Sequence, residues 1–357
     1  MTSSAISAGK LWSLRRLADA DGFFTMTAVD QRPGVVAHVA KVKGDSSAGQ
    51  RYADVGAVKK LLIEELSPVS SAMLVDPGFA YPYAATSLDP RKGLLLTLEQ
   101  FESIDSPGGR KTLAYPGWSV EKIKRLGADG VKLMLWYRPD ASNDVLDHQH
   151  ALVRAVGDDC RRHDIAFLVE PLVYPLGESS GGAVGTNSID HYHEDPAKRP
   201  ELVLDTLDEL KKPEYGIDIF KLETPLPIAS VPDPDMTTSE SRECQRWFDA
   251  IDAKLDRPWV MLSAGAAMEP FRRVLTYAFR AGASGYLAGR AIWWPAFRDR
   301  YPDMDAFRAQ VRSEGLPYVA KVQDALRRYG TPWTKKPAFR DGPALDAAGP
   351  SFYRDYE

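Results

Sequence analysis

The stretch GVKLMLWYRPDASNDVLDHQHALVRAVGDDCRRHDIAFLVEPL, residues 130–172, indicates the fold most directly. It begins with a short apolar run, continues through a longer segment with helical periodicity and ends in a second apolar run at 165–172. Both runs are apolar at nearly every position, as parallel strands buried on both faces require. The stretch therefore predicts one strand–helix–strand unit of a parallel sheet.

The same alternation recurs along the chain. Eight strand–helix units in series are typical of an α/β protein of the (β/α)8 TIM barrel class. A doubly wound sheet is the alternative, but its GxGxxG fingerprint is missing, since FFTMTAVDQRPG (23–34) has no glycine before its last position. The eight apolar runs are FFTMTAVD (23–30), SAMLVD (71–76), GLLLTL (93–98), GVKLMLWY (130–137), IAFLVEPL (165–172), IDIFKLE (217–223), WVMLSAG (259–265) and GYLAGR (285–290).

Helix signals lie between the runs. Apolar spacing predicts a helix over 54–66 that ends before Pro68, and Ser119 is a suitable N-cap for a helix that follows it. A further helix is predicted over 269–281, with Gly282 as its C-terminal stop. These helices are expected to pack around the barrel.

The chain is predicted to form one catalytic barrel domain over residues 1–330, followed by a C-terminal tail at 331–357 on the barrel exterior. The tail is rich in proline, glycine and charge. The segment 176–200 is rich in Gly, Ser, His and Asp and is expected to form a long surface loop over the barrel mouth. Such a loop could alter substrate choice.

Composition excludes several classes of protein. With 45 basic and 49 acidic residues the formal charge is −4, which argues against a nucleic-acid-binding protein. No uninterrupted apolar run reaches the ~18 residues of a transmembrane helix, so we expect no membrane partner. Cys160 and Cys244 are too few for a disulfide scaffold or a four-thiolate metal site, and they favour a cytoplasmic location.

Charged residues stand at the ends of most of the apolar runs. In a barrel of this kind the chemistry lies at the carboxyl ends of the strands. A charge within an apolar strand is costly unless it is paired or functional. These residues are Asp30, Asp76, Lys132, Glu170, Lys221 with Glu223, and Arg290.

Lys221 is the most informative of these residues. In IDIFKLETP (217–225) it lies between two apolar residues, and strand alternation directs its side chain to the opposite face, toward the barrel mouth. Burial, or a cation such as Lys132 nearby, would lower its pKa and leave it partly neutral, as a Schiff-base nucleophile must be. The alternative is a structural lysine paired with Glu223 or Glu170.

Glu170 and the turn after the first run have the same ambiguity. A carboxylate among apolar residues and lysines can transfer protons, but Glu170 could equally be a structural partner of Lys132 or Lys221. Asp30 and Arg32 flank a sharp Pro-Gly turn, which on its own is often only a strand ending.

The last two runs carry the pattern of an anion site. The small residues at 263–265, together with Gly289, offer backbone amides to a phosphate, and Arg290 supplies a charged clamp. Barrels commonly bind phosphate at this place. The alternative is that Arg290 binds a surface carboxylate.

The histidines form two H-x-H pairs, His148 with His150 and His191 with His193. Such pairs can ligate a metal, but most are solvated loop residues. No metal site is predicted from them.

With these residues in place, the chain resembles the class I tagatose-1,6-bisphosphate aldolase family over roughly residues 20–335. The matching strings occur in order at strand ends, which makes them specific jointly rather than singly. They are AVDQR (28–32), LVDP (74–77), GLLL (93–96), VKLMLWY (131–137), FLVEPLVY (167–174), FKLETP (220–225), LSAG (262–265) and AGASGYLAGRAIW (281–293).

The resemblance implies a (β/α)8 barrel and an aldol cleavage that needs neither a metal nor another cofactor. Its substrate would be a small-molecule sugar phosphate, most simply tagatose 1,6-bisphosphate. Matched position by position, Lys221 is the Schiff-base lysine, Glu170 the proton-transfer residue and Lys132 a second active-site lysine. The other matched positions are Asp30, Gln31 and Arg32 on the substrate-binding turn, where Asp30 would share the proton transfers, and Ser263, Gly265, Gly289 and Arg290 in the phosphate site.

Four strings, AVDQR, EPLVYP, KLETPL and AGASGYLAGRAIW, also resemble the sulfofructose-phosphate aldolases. The shared motifs leave open whether the distal group of the substrate is a phosphate or a sulfonate, which Gln31 and Arg32 would bind, and which configuration C4 has. A non-catalytic sugar-phosphate-binding barrel and a metal-dependent aldolase are the rival interpretations. Many barrels associate through their outer helices, so a homo-oligomer stays open.

Overall fold

A closed barrel of eight parallel strands organises the chain, as the sequence predicts. The computed structural model describes residues 6–44, 47–176, 200–339, 341–346 and 348–356. Each barrel strand falls within one of the eight apolar runs, and the last strand pairs with the first. In chain order the strands are β1 (Phe24–Val29), β2 (Ala72–Val75), β3 (Gly93–Thr97), β4 (Glu99–Ser106), β5 (Gly109–Ala114), β6 (Gly130–Trp136), β7 (Ala166–Leu172), β8 (Ile219–Leu222), β9 (Trp259–Met261) and β10 (Gly285–Ala288), of which β4 and β5 lie outside the barrel.

Helices surround the barrel and bury the outer faces of its strands. The sequence prediction over 54–66 is confirmed, but that helix starts earlier, at Ala48, where Ser47 accepts a hydrogen bond from the Gln50 amide. The helices are α1 (Ala8–Leu17), α2 (Pro33–Lys43), α3 (Ala48–Leu66), α4 (Ala80–Ala84), α5 (Val120–Arg125), α6 (Asn143–Arg162), α7 (Pro200–Leu210), α8 (Ser239–Lys254), α9 (Met268–Ala281), α10 (Arg290–Arg300), α11 (Met304–Gln310), α12 (Leu316–Tyr329) and α13 (Phe352–Asp355).

The sequence signals at the helix ends are confirmed. Ser119 caps α5 by accepting a hydrogen bond from the Lys122 amide, and α9 ends at Gly282, whose φ of +117° is in the left-handed region. Glycine adopts this conformation without the steric penalty that a Cβ brings. Ser119 thus defines where α5 begins, and Gly282 defines where α9 ends before β10.

The amino-terminal end of the barrel is closed by α1 and by part of the C-terminal segment. Leu14 and Leu17 of α1 are fully buried against interior strand residues such as Phe24. Trp333 and Phe339 belong to the same apolar cluster. Because this end is sealed, the carboxyl ends of the strands form the accessible mouth.

A two-stranded antiparallel hairpin, β4–β5, is inserted between β3 and α5 and lies against the mouth. The Tyr174 hydroxyl accepts a hydrogen bond from the Arg110 amide, and the Thr112 hydroxyl accepts one from the Trp136 amide. These contacts fix the hairpin to the ends of β6 and β7. The sequence analysis did not predict this hairpin.

The predicted mouth loop at 176–200 lies outside the described residues except for its first and last positions, and so does the pair His191 and His193. Within the described ranges, no helix combines the length and apolar character needed to cross a membrane.

Candidate active site

A cavity opens at the carboxyl ends of the barrel strands. Every site residue predicted from the sequence lines it except Gly265, which lies directly behind Arg290: a Cβ on Gly265 would stand 3.2 Å from the guanidinium carbon. The lining residues are Ala28, Asp30, Gln31, Arg32, Pro33, Gly34, Glu99, Phe101, Lys132, Met134, Trp136, Glu170, Leu172, Lys221, Leu262, Ser263, Ala264, Leu287, Gly289 and Arg290.

Lys221 faces this cavity from the middle of β8. Its neighbours Phe220 and Leu222 pack in the apolar layer between barrel and helices, so the alternation expected from the sequence is confirmed. The Lys221 Nζ lies 2.7 Å from Glu170 Oε1, and both side chains are more than nine-tenths buried. The amine is therefore held beside a carboxylate in a site largely shielded from solvent.

Lys132, on β6, stands among three carboxylates. Its Nζ lies 2.7 Å from Glu170 Oε2, 2.8 Å from Glu99 Oε1 and 3.3 Å from Asp30 Oδ2. Glu170 thus bridges the two lysines through its two oxygens. The arrangement is a buried ionic network in which each charge has an opposite charge nearby, as burial demands.

The network controls the protonation of its members. Burial alone would raise the pKa of Asp30, but Lys132 and Lys221 outweigh burial and lower it to about 2. For Glu170 burial is again opposed by the two lysines, and its pKa is lowered. Burial pulls the pKa of Lys132 down, yet Glu170, Glu99 and Asp30 together raise it. Near neutral pH both carboxylates are ionised and Lys132 is charged.

Arg32, on the turn after β1, offers unused hydrogen-bond donors. One terminal nitrogen donates to the Glu99 main-chain oxygen over 3.0 Å, and the guanidinium carbon lies 5.4 Å from the centre of the Tyr115 ring. Its Nε and second terminal nitrogen are buried and have no hydrogen-bond partner among the described residues. Buried donors without partners are costly, and the nearest carboxylate oxygen, Glu99 Oε1, lies 3.9 Å from the guanidinium, so this end of the cavity is suited to an anionic group.

The ends of β9 and β10 form a second place for an anion. Ser263 and Gly289 line the cavity, and Arg290 begins α10, so that the helix amino terminus opens there. A Cβ on Gly289 would stand 2.3 Å from the Ala28 main-chain oxygen, which explains the need for glycine. Small residues, a helix amino terminus and an arginine together are a common phosphate-binding arrangement.

The structure separates two strand-end acids from the site. Asp76 is fully buried and pairs with Lys59 of α3, and its oxygens also accept hydrogen bonds from the amides of the following turn. Glu223 accepts a hydrogen bond from the Val173 amide over 2.6 Å. Neither lines the cavity, so the pairing of Lys221 is with Glu170 rather than Glu223.

Sequence reasoning missed Glu99 and the apolar wall of the cavity. Glu99 follows the end of β3 by two residues, so a carboxylate just beyond the third apolar run was the available signal. The wall has no comparable signal, because apolar residues on strands are expected in any core. Its residues are Phe101, Met134, Trp136, Leu172 and Leu262.

The first H-x-H pair does not form a metal site. His148 Nε2 is hydrogen-bonded to the Thr112 main-chain oxygen and His150 Nε2 to the Tyr137 hydroxyl, each over 2.8 Å. Among the residues that the structure describes, no group of His, Cys, Asp and Glu side chains is arranged to hold a metal ion.

Comparison with known proteins gives consistent results. Residues 24–294 match the family described as DeoC/LacD family aldolase. The tagatose 1,6-diphosphate aldolase of Lactococcus lactis subsp. lactis is 30% identical over 330 residues, covering 91% of this chain and 97% of that protein. Tagatose 1,6-diphosphate aldolase 1 of Streptococcus mutans is 28% identical, covering 90% and 97%.

Solved structures share the fold. An archaeal fructose 1,6-bisphosphate aldolase superposes with a TM-score of 0.50 at 18% identity, covering 85% of this chain and 98% of that one. The fructose-bisphosphate aldolase of Plasmodium falciparum gives a TM-score of 0.55 at 12% identity, covering 96% and 99%. At these identities the similarity bears on the barrel alone.

Proposed function

The chain belongs to the DeoC/LacD aldolase family, and from this premise we propose that it is a class I aldolase acting on tagatose 1,6-bisphosphate. The products are dihydroxyacetone phosphate and glyceraldehyde 3-phosphate. The observation that carries the proposal is the contact of 2.7 Å between the Lys221 amine and Glu170 in a buried, charged cavity. An amine nucleophile beside an acid–base group is the pair that imine chemistry requires.

Imine formation begins with the neutral Lys221 amine attacking the C2 ketone of the substrate. The proton that the amine gives up is taken by Glu170, the carboxylate in contact with it. Glu170 returns that proton to the C2 oxygen, which gives the carbinolamine hydroxyl. A second proton, taken up from solvent and passed on by Glu170, lets the hydroxyl leave as water, and a protonated imine forms. The first of these transfers runs over the 2.7 Å contact between the Lys221 amine and Glu170.

Cleavage breaks the bond between C3 and C4. The C4 hydroxyl loses its proton to Glu170, with Asp30 sharing the proton transfers, and the C3–C4 electrons move into the imine as C4 becomes an aldehyde. Glu170 passes the proton that it took from the C4 hydroxyl to C3 of the resulting enamine, and water then hydrolyses the imine and releases dihydroxyacetone phosphate from Lys221. Lys132, held charged by its three carboxylates, stabilises negative charge that develops on substrate oxygens.

The two anion-binding ends of the cavity orient the substrate. We assign the C1 phosphate to Ser263, Gly265, Gly289 and Arg290 at the ends of β9 and β10, a common phosphate position in barrels. The distal phosphate is assigned to Gln31 and Arg32, because the unused guanidinium donors suit an anion there. We also propose that the protein is cytoplasmic and that, if it has a protein partner, the partner is a further copy of the same chain.

The test is cleavage of tagatose 1,6-bisphosphate with identification of both products. We expect activity in the wild type that persists in EDTA and is absent from Lys221→Met. A matched control is Lys60→Met, which removes a partly exposed lysine of α3. If the protein cleaves sulfofructose 1-phosphate in preference to tagatose 1,6-bisphosphate and releases sulfolactaldehyde, the distal group of its substrate is a sulfonate. Loss of activity in EDTA would overturn the Schiff-base mechanism, and binding without cleavage would indicate a non-catalytic barrel.

A further inference from the structure

Glu99 is the carboxylate of the cavity that takes no part in the proton transfers of the proposed mechanism. It is the first residue of the hairpin strand β4, two residues beyond the end of β3, and it is only 2% exposed. Its side chain lines the cavity beside Lys132. Burying a carboxylate at the junction between the barrel and an inserted hairpin costs free energy of desolvation unless the charge has an opposite charge or hydrogen-bond donors beside it.

The Glu99 carboxylate is fixed by two donors on the same barrel strand. Its Oε1 lies 2.8 Å from Lys132 Nζ, and its Oε2 accepts a hydrogen bond from the Met134 amide over 3.0 Å. Because the second donor is main chain of β6, the carboxylate cannot follow movements of the lysine side chain. Glu99 therefore acts as a fixed anchor for Lys132.

Lys132 needs such an anchor if Glu170 transfers protons. Glu170 changes between its charged and neutral forms during each turnover, so its attraction for Lys132 weakens each time it takes a proton. Asp30 is the longer contact, at 3.3 Å, whereas Glu99 is at 2.8 Å. Glu99 is therefore the nearer of the two carboxylates that are left beside Lys132 when Glu170 is neutral.

The main chain of Glu99 has a second task at the distal end of the cavity. Its carbonyl oxygen accepts a hydrogen bond from one terminal nitrogen of Arg32. The Nε and the other terminal nitrogen of Arg32 have no hydrogen-bond partner among the described residues. One residue thus contacts both the cation beside the reacting carbons and the cation assigned to the distal phosphate. The hairpin connects the two ends of the site through this residue.

We propose that Glu99 is a positioning residue for the aldol reaction, which anchors Lys132 through its carboxylate while Glu170 gains and loses its proton. The proposal rests on the proposed function. It adds a residue that does not touch the reacting atoms and acts through Lys132.

The test compares wild type with Glu99→Gln, measuring tagatose 1,6-bisphosphate cleavage across pH. Activity is expressed per site trapped by borohydride with dihydroxyacetone phosphate, so that unfolded protein does not count. We expect kcat to fall about 10–100-fold with KM changed far less, since a misplacement of about 1 Å costs up to about 10²-fold. The acidic limb of the profile should move to lower pH, because removing a neighbouring negative charge makes Glu170 harder to protonate.

The matched control is Asp105→Asn, which removes a carboxylate from the exposed end of the same hairpin and should leave kcat and the pH profile unchanged. A wild-type kcat and profile in Glu99→Gln would overturn the proposal. If Glu99→Gln does not fold, Glu99→Asp replaces it in the test. The retained charge should preserve the pH profile, while the shorter side chain should lower kcat. A wild-type kcat in Glu99→Asp would overturn the proposal. Absence of a trapped adduct in the wild type would instead refute the proposed function.

Discussion

Replacing Glu170 by glutamine is expected to abolish most of the activity and leave the chain folded. The carboxylate contacts both active-site lysines, each at 2.7 Å, and the amide that replaces it can neither accept the proton of Lys221 nor return one to the carbinolamine. A positioned acid–base group contributes about 10²–10⁴-fold to a reaction rate. At about 1.4 kcal/mol for each factor of ten, the barrier should rise by about 3–5 kcal/mol.

Folding should survive because Lys132 keeps two of its three carboxylates. Glu99 and Asp30 remain at 2.8 Å and 3.3 Å, so the variant does not leave that lysine as an isolated buried charge. Lys221 loses the Glu170 carboxylate, but the glutamine has nearly the same shape and keeps a side-chain oxygen that can accept a hydrogen bond from the amine. The loss of folding stability should therefore stay below the ~3–5 kcal/mol that an uncompensated buried charge costs.

The test measures kcat and KM for cleavage and the free energy of unfolding in urea, both on the same protein preparations. Glu102→Gln is the control, because it makes the same chemical change at an exposed position of the hairpin. A kcat within about threefold of wild type in Glu170→Gln, far below the expected 10²-fold minimum, would refute the acid–base assignment. A fully unfolded Glu170→Gln would refute the argument that Glu99 and Asp30 suffice to hold Lys132.

Three further outcomes follow from other contacts. Because the pKa of Asp30 is lowered from 3.8 to about 2, its stabilising contribution should be complete above pH 3.8 and lost as the pH falls through 2, which the Tm across this range measures. Lys59→Met leaves Asp76 as a buried unpaired carboxylate and should cost about 3–5 kcal/mol in urea denaturation. Gly289→Ala places a Cβ 2.3 Å from the Ala28 oxygen and should raise KM for the sugar phosphate, whereas an unchanged KM would contradict the phosphate assignment.

The barrel could be predicted because its strands are buried on both faces. Such strands have continuous apolar runs, and Lys132, Glu170 and Lys221 are conspicuous as charges within them. The same contrast predicted the three residues that the structure brings into contact. A site composed of charged residues on apolar strands is therefore visible in sequence.

The hairpin and Glu99 could not be predicted in the same way. The strand EQFESIDS (99–106) is largely polar, and contacts with residues far along the chain, such as Tyr174 and Gln149, hold the hairpin in place. Asp76 resembled a site residue because it ends an apolar run. Its structural role could not be seen in the sequence, because its partner Lys59 lies on a helix whose packing only the tertiary structure defines. Pairings of this kind depend on the folded chain rather than on local pattern.

Trapping of the imine tests the central claim most directly. Wild type and Lys221→Met would be incubated with dihydroxyacetone phosphate, reduced with borohydride, and examined by intact-mass spectrometry and peptide mapping. The account predicts one adduct per wild-type chain, located on Lys221, and none on the folded Lys221→Met protein. An adduct that persists in Lys221→Met, or none on folded wild type, would contradict it.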